Sequence, residues 1–229
     1  VEVLMLLSDV VIELLEGELS SHAIALEGLS NPVNEGKLYR AIDSGLLDLY
    51  TRYPLLEKEV HVQLNAGITE YSLRKEFKDG VWVVPSHILV GPYDDFKDDV
   101  IRVEVVTDEV GDVYEINASD YDKVVALVNP TTIQVPNPTD SNVLFVTYRA
   151  KHPKVATGCE LMLPAYLLPA LYAYVGARIY SGGVVQEHVA KAAELMAKYE
   201  MICLQMDANG MVNKDMQNVN VRPMLHGWI

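Results

Sequence analysis

The hydrophobic period of this chain changes twice, and nothing else in the sequence limits the fold as much. Up to Tyr53 the apolar residues recur at steps of three and four, between Glu59 and Ala150 they alternate, and after Pro153 the longer spacing returns. A period near 3.6 requires a helix with one buried face, and a period of two requires a strand with one buried face. Helices, then a β module, then helices is therefore the expected order. The simplest arrangement is an α+β chain: a helical bundle made from both chain ends, with a small antiparallel β sandwich or barrel inserted. Expected boundaries are residues 1–58 for the first bundle helices, 59–153 for the insertion, 154–206 for a closing helix pair, and 207–229 for an extended tail.

The details follow from local signals. Val3, Leu7, Val10, Val11 and Leu14 predict an amphipathic helix over 3–16. Asn31-Pro32 predicts the start of a second helix, with asparagine as cap and proline in the first turn. Its buried face reads Leu38, Ile42, Leu46, Leu49 and Tyr53, and Pro54 closes it because the residue before proline is pushed out of the helical region. Val60, Val62 and Leu64 alternate with His61 and Gln63, and Asn65-Ala66-Gly67 predicts a hairpin into the strand around Tyr71. Further strands are expected at Trp82 and Val84, at 100–106, in VYEIN, KVVAL and TIQV, and in VLFVTYRA. Residues 164–180 predict an apolar helix stopped by Ser181-Gly182-Gly183. The last helix, about 185–206, spaces Val189, Ala192, Met196, Tyr199, Cys203 and Met206 as a packing seam, with Glu187→Lys191 and Glu194→Lys198 as supporting pairs. Val189, Met196, Tyr199 and Cys203 are the expected subunit-packing positions.

Charge and composition exclude several classes. Half of the residues are apolar, enough for a core, and the net charge is −14. Residues 1–58 hold ten acids and four bases, 59–153 hold sixteen and eight, and 154–229 hold six of each. No basic cluster exists that would neutralise several phosphates, so direct, high-affinity and specific nucleic-acid binding is not expected. Cys159 and Cys203 lie far apart without metal-type spacing, which points to folding in a reducing cytoplasm. The first residues carry Glu2, Asp9 and Glu13 and read as a helix instead of a targeting sequence. The longest apolar run, Leu161–Val175, is interrupted by Pro164 and Pro169 and reads as a buried helix, not a membrane span.

No catalytic set emerges. The histidines at 22, 61, 87, 152, 188 and 226 are dispersed, and none pairs at zinc-helix spacing or sits beside a cysteine. Asp43-Ser44-Gly45 falls inside the second helix, where a small residue serves close packing. The acidic run Asp94–Asp99 lacks the glycine and the spaced ligands of a calcium loop. Asp120 and Asp122 flank Tyr121 as a carboxylate pair without a partner histidine. The expectation is a protein that is not an enzyme and holds no cofactor or metal. An enzyme using the acidic loops is the alternative from a second class, and a monomeric binding domain is a third.

Residues 207–229, DANGMVNKDMQNVNVRPMLHGWI, have neither period and end in large apolar residues. A polar, aperiodic segment buries too little to offset the entropy of its own ordering. Its apolar end reads as a docking tip, with Arg222, Met224, Leu225, Trp228 and Ile229 as the partner-binding residues. Burial of the four large apolar side chains contributes on the order of 6–12 kcal/mol before ordering costs.

The segment GKLYRAIDSGLLDLYTRYPLLEKEVHVQLNAGITEYSL resembles the opening of phage head-to-tail connector, or adaptor, proteins. The stretch VIRVEVVTDEVGDVYEIN through TIQVPNP to VLFVTYRAKHP is similar to the same group, as is LPAYLLPALYAYVGARIYSGG followed by a helix containing KYE. The resemblance covers most of residues 36–206 and leaves out the first helix and the tail. It implies a structural virion protein at the portal–tail junction, assembled in the host cytoplasm, forming a homo-oligomeric ring that is typically twelvefold. The implied partners are the portal protein, which receives the C-terminal arm, a tail tube or nozzle protein, and further copies of the chain. DNA is then only transiting genome, passing an acidic channel without specific binding, and no membrane is involved. Another neck or tail-tube ring component is the alternative within this class.

Overall fold

A computed structural model describes residues 5–24, 32–78, 86–89, 96–118, 123–139, 142–183 and 185–210. The chain is mixed α/β, with four helices and a curled β-sheet among the described residues. It separates into two compact units, one formed by Val1–Pro54 together with His152–Ile229, the other by Leu55–Lys151.

In the first unit, helix α1 (Leu7–Glu16) buries Leu7, Val10, Val11 and Leu14, the spacing that its sequence predicts. It starts later than expected, because Met5–Leu6 form a short strand, β1, paired with β10 (Glu160–Leu161). Val3 lies outside the described residues. Helix α2 (Pro32–Arg52) carries Glu35 in its first turn and Arg52 in its last, each matched to the sign of the helix dipole. Leu38, Ile42, Leu46, Leu49 and Tyr53 are all at most 1% exposed, which defines its packed face. Gly45 is required on that face: an added Cβ would lie 2.8 Å from Leu171 Cδ1 and 3.0 Å from Tyr174 Cδ1. Asp43 accepts the Val155 N–H at 2.8 Å, and Ser44 donates to the Arg40 carbonyl at 2.9 Å, so neither is set up as a nucleophile pair.

Helix α3 (Leu168–Tyr180) follows a 3-10 turn at Ala165–Leu167 and packs against both α2 and α4 (Gln186–Ala208). A helix flanked on two sides needs small and apolar residues around most of its circumference, and Ala170, Leu171, Ala173, Val175, Gly176 and Ala177 are buried here. Tyrosine hydroxyls then tie the helices together. Tyr199 on α4 donates to the Asp48 carboxylate on α2, Tyr53 to the Cys203 carbonyl at 3.1 Å, and Tyr172 to Glu13 on α1. Burial and the Asp48 carboxylate both push the Tyr199 phenol well above its ordinary value, so it remains a donor.

The seam of α4 differs from its predicted one. The fully buried residues are Leu195, Tyr199 and Cys203, while Val189 is 56% exposed. Contact with α3 fixes this rotation: Leu195 reaches Gly176, where a Cβ would come within 2.9 Å of it. The predicted ion pairs are also replaced. Lys191 pairs with Glu194 at 3.0 Å, and Lys198 turns to Glu18. Arg52 makes a two-pronged contact with Glu200, with N···O distances of 3.0–3.1 Å. Helix α4 continues to Ala208, two residues into the segment expected to be tail.

The second unit contains β2 (Glu57–Gln63), β3 (Glu70–Ser72), β4 (Ile88–Leu89), β5 (Val100–Asp108), β6 (Val113–Ile116), β7 (Val124–Asn129), β8 (Thr132–Gln134) and β9 (Val143–Ala150). The sheet order is β3-β8-β7-β6-β5-β9-β2-β4. The sheet curls so that its two ends approach one another. His87 N–H donates to the Phe77 carbonyl at 3.0 Å, and its ring lies 2.8 Å from the Ser72 carbonyl. Val62, Tyr71, Val106, Val125, Ile133 and Val146 meet in the enclosed core.

Two strand expectations are corrected. Asn65–Ile68 does turn, with Ile68 N–H donating to the Asn65 carbonyl at 2.9 Å, yet β2 and β3 form no hairpin. Both edges of β2 are taken by β9 and β4, so β3 pairs with β8 at the far end of the order. The sheet is also not wholly antiparallel, since β6 and β7 run parallel at Glu115↔Val124 and Ile116↔Val125. Asn117, in the left-handed region at φ 56°, ends β6, and its side chain accepts the Leu127 N–H at 2.9 Å. The expected strand at Trp82 and Val84 lies outside the described residues.

Candidate functional site

The expected docking residues Arg222, Met224, Leu225, Trp228 and Ile229 lie outside the described residues, as do Asp94, Asp95, Asp120 and Asp122. The described part of the acidic run is committed to structure. Asp98 accepts the Lys75 N–H, and Asp99 pairs with Lys58 at 2.7 Å and accepts the Tyr148 hydroxyl at 3.1 Å. Among the described residues no group of three or more His, Cys, Asp or Glu is placed to hold a metal ion, and no helix is long and apolar enough to cross a membrane. Of the expected subunit-packing positions, Tyr199 and Cys203 are sealed in the chain's own core and Met196 is half-buried. Only Val189 faces outward, and it is joined on α4 by Met201 (54% exposed) and Leu204 (66% exposed). Val189, Met201 and Leu204 are the large apolar side chains that α4 leaves exposed.

The helical unit also holds an open cleft of about 940 Å³. The face of α2 carrying Lys37, Arg40 and Ser44 forms one wall, at steps of three and four residues. Arg178, in the last turn of α3, and Ser181-Gly182-Gly183 form another, with His22 and His188 between them. Ile24 and Ala41 are buried, which gives the cleft an apolar floor. Lys37, Arg40 and Arg178 are exposed. Among the described residues none has a carboxylate partner, and no Asp or Glu is among those that line the cleft.

An aromatic triad holds the two imidazoles. His22 and Tyr180 meet edge to face at 5.0 Å, Tyr180 and His188 at 5.3 Å, and the two histidines lie 5.5 Å apart. The Ile24 N–H donates to His22 Nδ1 at 3.1 Å, so that nitrogen is unprotonated. Ser21 Oγ lies 2.9 Å from the Tyr180 hydroxyl and fixes that ring. Gly183 allows His188 to fold back against the backbone, since a Cβ there would fall 2.3 Å from His188 Nδ1.

Sequence reasoning missed this cleft. Lys37 and Arg40 are visible as an i,i+3 basic pair, but Arg178 is distant in sequence, and the sign of the cleft follows from helix packing.

In comparison with known proteins, no family model matches this chain and no curated protein matches it.

Proposed function

We propose that the chain is a ring-forming structural protein of a tailed phage, an adaptor between capsid portal and tail. The observation that carries this reading is the division of the chain: both of its ends enter one helical unit, and residues Leu55–Lys151 form a separate β unit between them. That is the layout the resemblance implies. On this reading the four helices are the bundle of the ring, the curled sheet is its small barrel-like insertion, and residues beyond α4 are the arm that enters the portal. Arg222, Met224, Leu225, Trp228 and Ile229 anchor that arm, and repetition around a ring adds avidity.

Ring contacts are proposed on the outward stripe of α4, at Val189, Met201 and Leu204, instead of the buried Tyr199 and Cys203. Carboxylates outnumber cations in the chain, 32 to 18. That balance suits a passage through which a polyanion slides. The test is co-assembly with purified portal rings. Full-length protein should cap the portal, and protein truncated after Gly210, just past the end of α4, should fold but fail to cap it. Equal capping by both would refute the role given to the arm.

A further inference from the structure

Six cations of the helical unit divide into two sets, and a seventh, Lys154, is exposed, pairs with no carboxylate among the described residues and lies outside the cleft. Arg52, Lys191 and Lys198 each hold a carboxylate, of Glu200, Glu194 and Glu18 respectively. Lys37, Arg40 and Arg178 hold none among the described residues, and all three line the cleft described above. Among the described residues that line the cleft there is no acid, although acids outnumber bases 32 to 18 in the chain. Three like charges around one open space repel each other, and a bound anion converts that repulsion into attraction.

We infer that the cleft binds a phosphate-bearing anion. The donor set separates phosphate from carboxylate. A lone carboxylate offers two oxygens and one charge, and one guanidinium fork satisfies it. Here two guanidinium forks and an ammonium line the space, while the Ser44 and Ser181 hydroxyls donate to the Arg40 and Arg178 carbonyls and leave the charged groups as the donor set. Such a set matches a ligand with more oxygens and at least two charges, as in pyrophosphate or adjacent phosphodiesters. The volume of about 940 Å³ exceeds the need of a lone phosphate and leaves room for a larger group attached to it. Ile24 and Ala41 give that group an apolar surface, and the Tyr180-braced imidazoles give it an aromatic one. This inference rests on the cleft alone and stands apart from the ring reading.

The experiment is calorimetric titration of the full chain with pyrophosphate at constant ionic strength. Wild-type protein should bind one equivalent saturably. Arg40→Glu and Arg178→Glu should each weaken binding by about tenfold or more. Lys154→Glu is the control, since Lys154 is an exposed cation outside the cleft lining and its reversal changes net charge equally. It should change affinity by less than about twofold. Circular dichroism establishes that each variant is folded. A short single-stranded oligonucleotide then separates the sources: displacement of pyrophosphate assigns the site to phosphodiesters, and no displacement assigns it to a free phosphate compound. Absence of saturable binding by folded wild type would overturn the inference. So would an equal loss in Lys154→Glu and the cleft variants, or binding of polyglutamate in preference to pyrophosphate.

Discussion

Gly45 and His152 show how single positions set the energetics of the helical unit. Adding a methyl at Gly45 would improve helix propensity by up to about 1 kcal/mol. It would also force contacts of 2.8 and 3.0 Å with Leu171 and Tyr174, two side chains of α3 that face it. Overpacking of this kind costs about 1–3 kcal/mol, so Gly45→Ala should be net destabilising by about 1–2 kcal/mol in urea unfolding. An unchanged or higher midpoint would show that α3 yields more easily than the packing implies. His152 donates through Nδ1 to the Pro153 carbonyl and accepts the Met162 N–H at Nε2, 3.1 Å away, so its ring is held neutral. Burial lowers its pKa, against the opposing pull of the Pro153 carbonyl and Asp43. A depressed imidazole contributes its full stability above the ordinary value of about 6.5 and loses it as pH falls through the folded-state value. The melting temperature should therefore fall between pH 7.5 and 5, and His152→Gln should flatten that slope. Parallel slopes for the two proteins would contradict the assignment.

At the scale of elements, the β5–β9 pair is the spine of the curled sheet, and Glu104 clamps it. Its carboxylate accepts from Arg102 on its own strand at 2.8–2.9 Å and pairs with the 5% exposed Arg149 of β9 at 2.8 Å. Glu104→Ala removes a counter-charge that the buried Arg149 guanidinium holds and should cost about 3 kcal/mol. Arg102→Ala should cost under about 1 kcal/mol, because the Arg102 side chain is 58% exposed and water screens it. Equal losses on denaturant unfolding would contradict this ranking. Helix α4 presents the other element-scale surface. If Met201 and Leu204 are ring contacts, Met201→Glu and Leu204→Glu should block ring formation in electron micrographs while leaving helicity intact.

Legibility followed the range of the forces involved. The α2 face from Leu38 to Tyr53 and the β2 alternation at Val60, Val62 and Leu64 were legible because burial period is a local property of sequence. Strand partners were not. Asn65-Ala66-Gly67 reads as a hairpin turn, but β9 and β4 occupy the two edges of β2, and no local signal records that. The seam of α4 was shifted for a similar reason, since Leu195 is selected by Gly176 on a different helix. The cleft was the least legible feature, as its charge arises only when Arg178 is brought to the wall that Lys37 and Arg40 form.

For the whole molecule, the account rests on a division of labour. Both chain ends enter a helical unit and the β unit lies between them in sequence, and the segment beyond α4 is proposed to bind a partner. On the proposed reading, Arg222, Met224, Leu225, Trp228 and Ile229 are the adhesive residues, and their removal should cost little folding stability. The most direct measurement is electron microscopy of portal rings mixed with full-length protein or with protein truncated after Gly210. The account predicts a continuous ring of density on portals given the full chain and bare portals with the truncated one, although both proteins melt at the same temperature. Portals left bare by the full chain, or capped equally by the truncated protein, would contradict it.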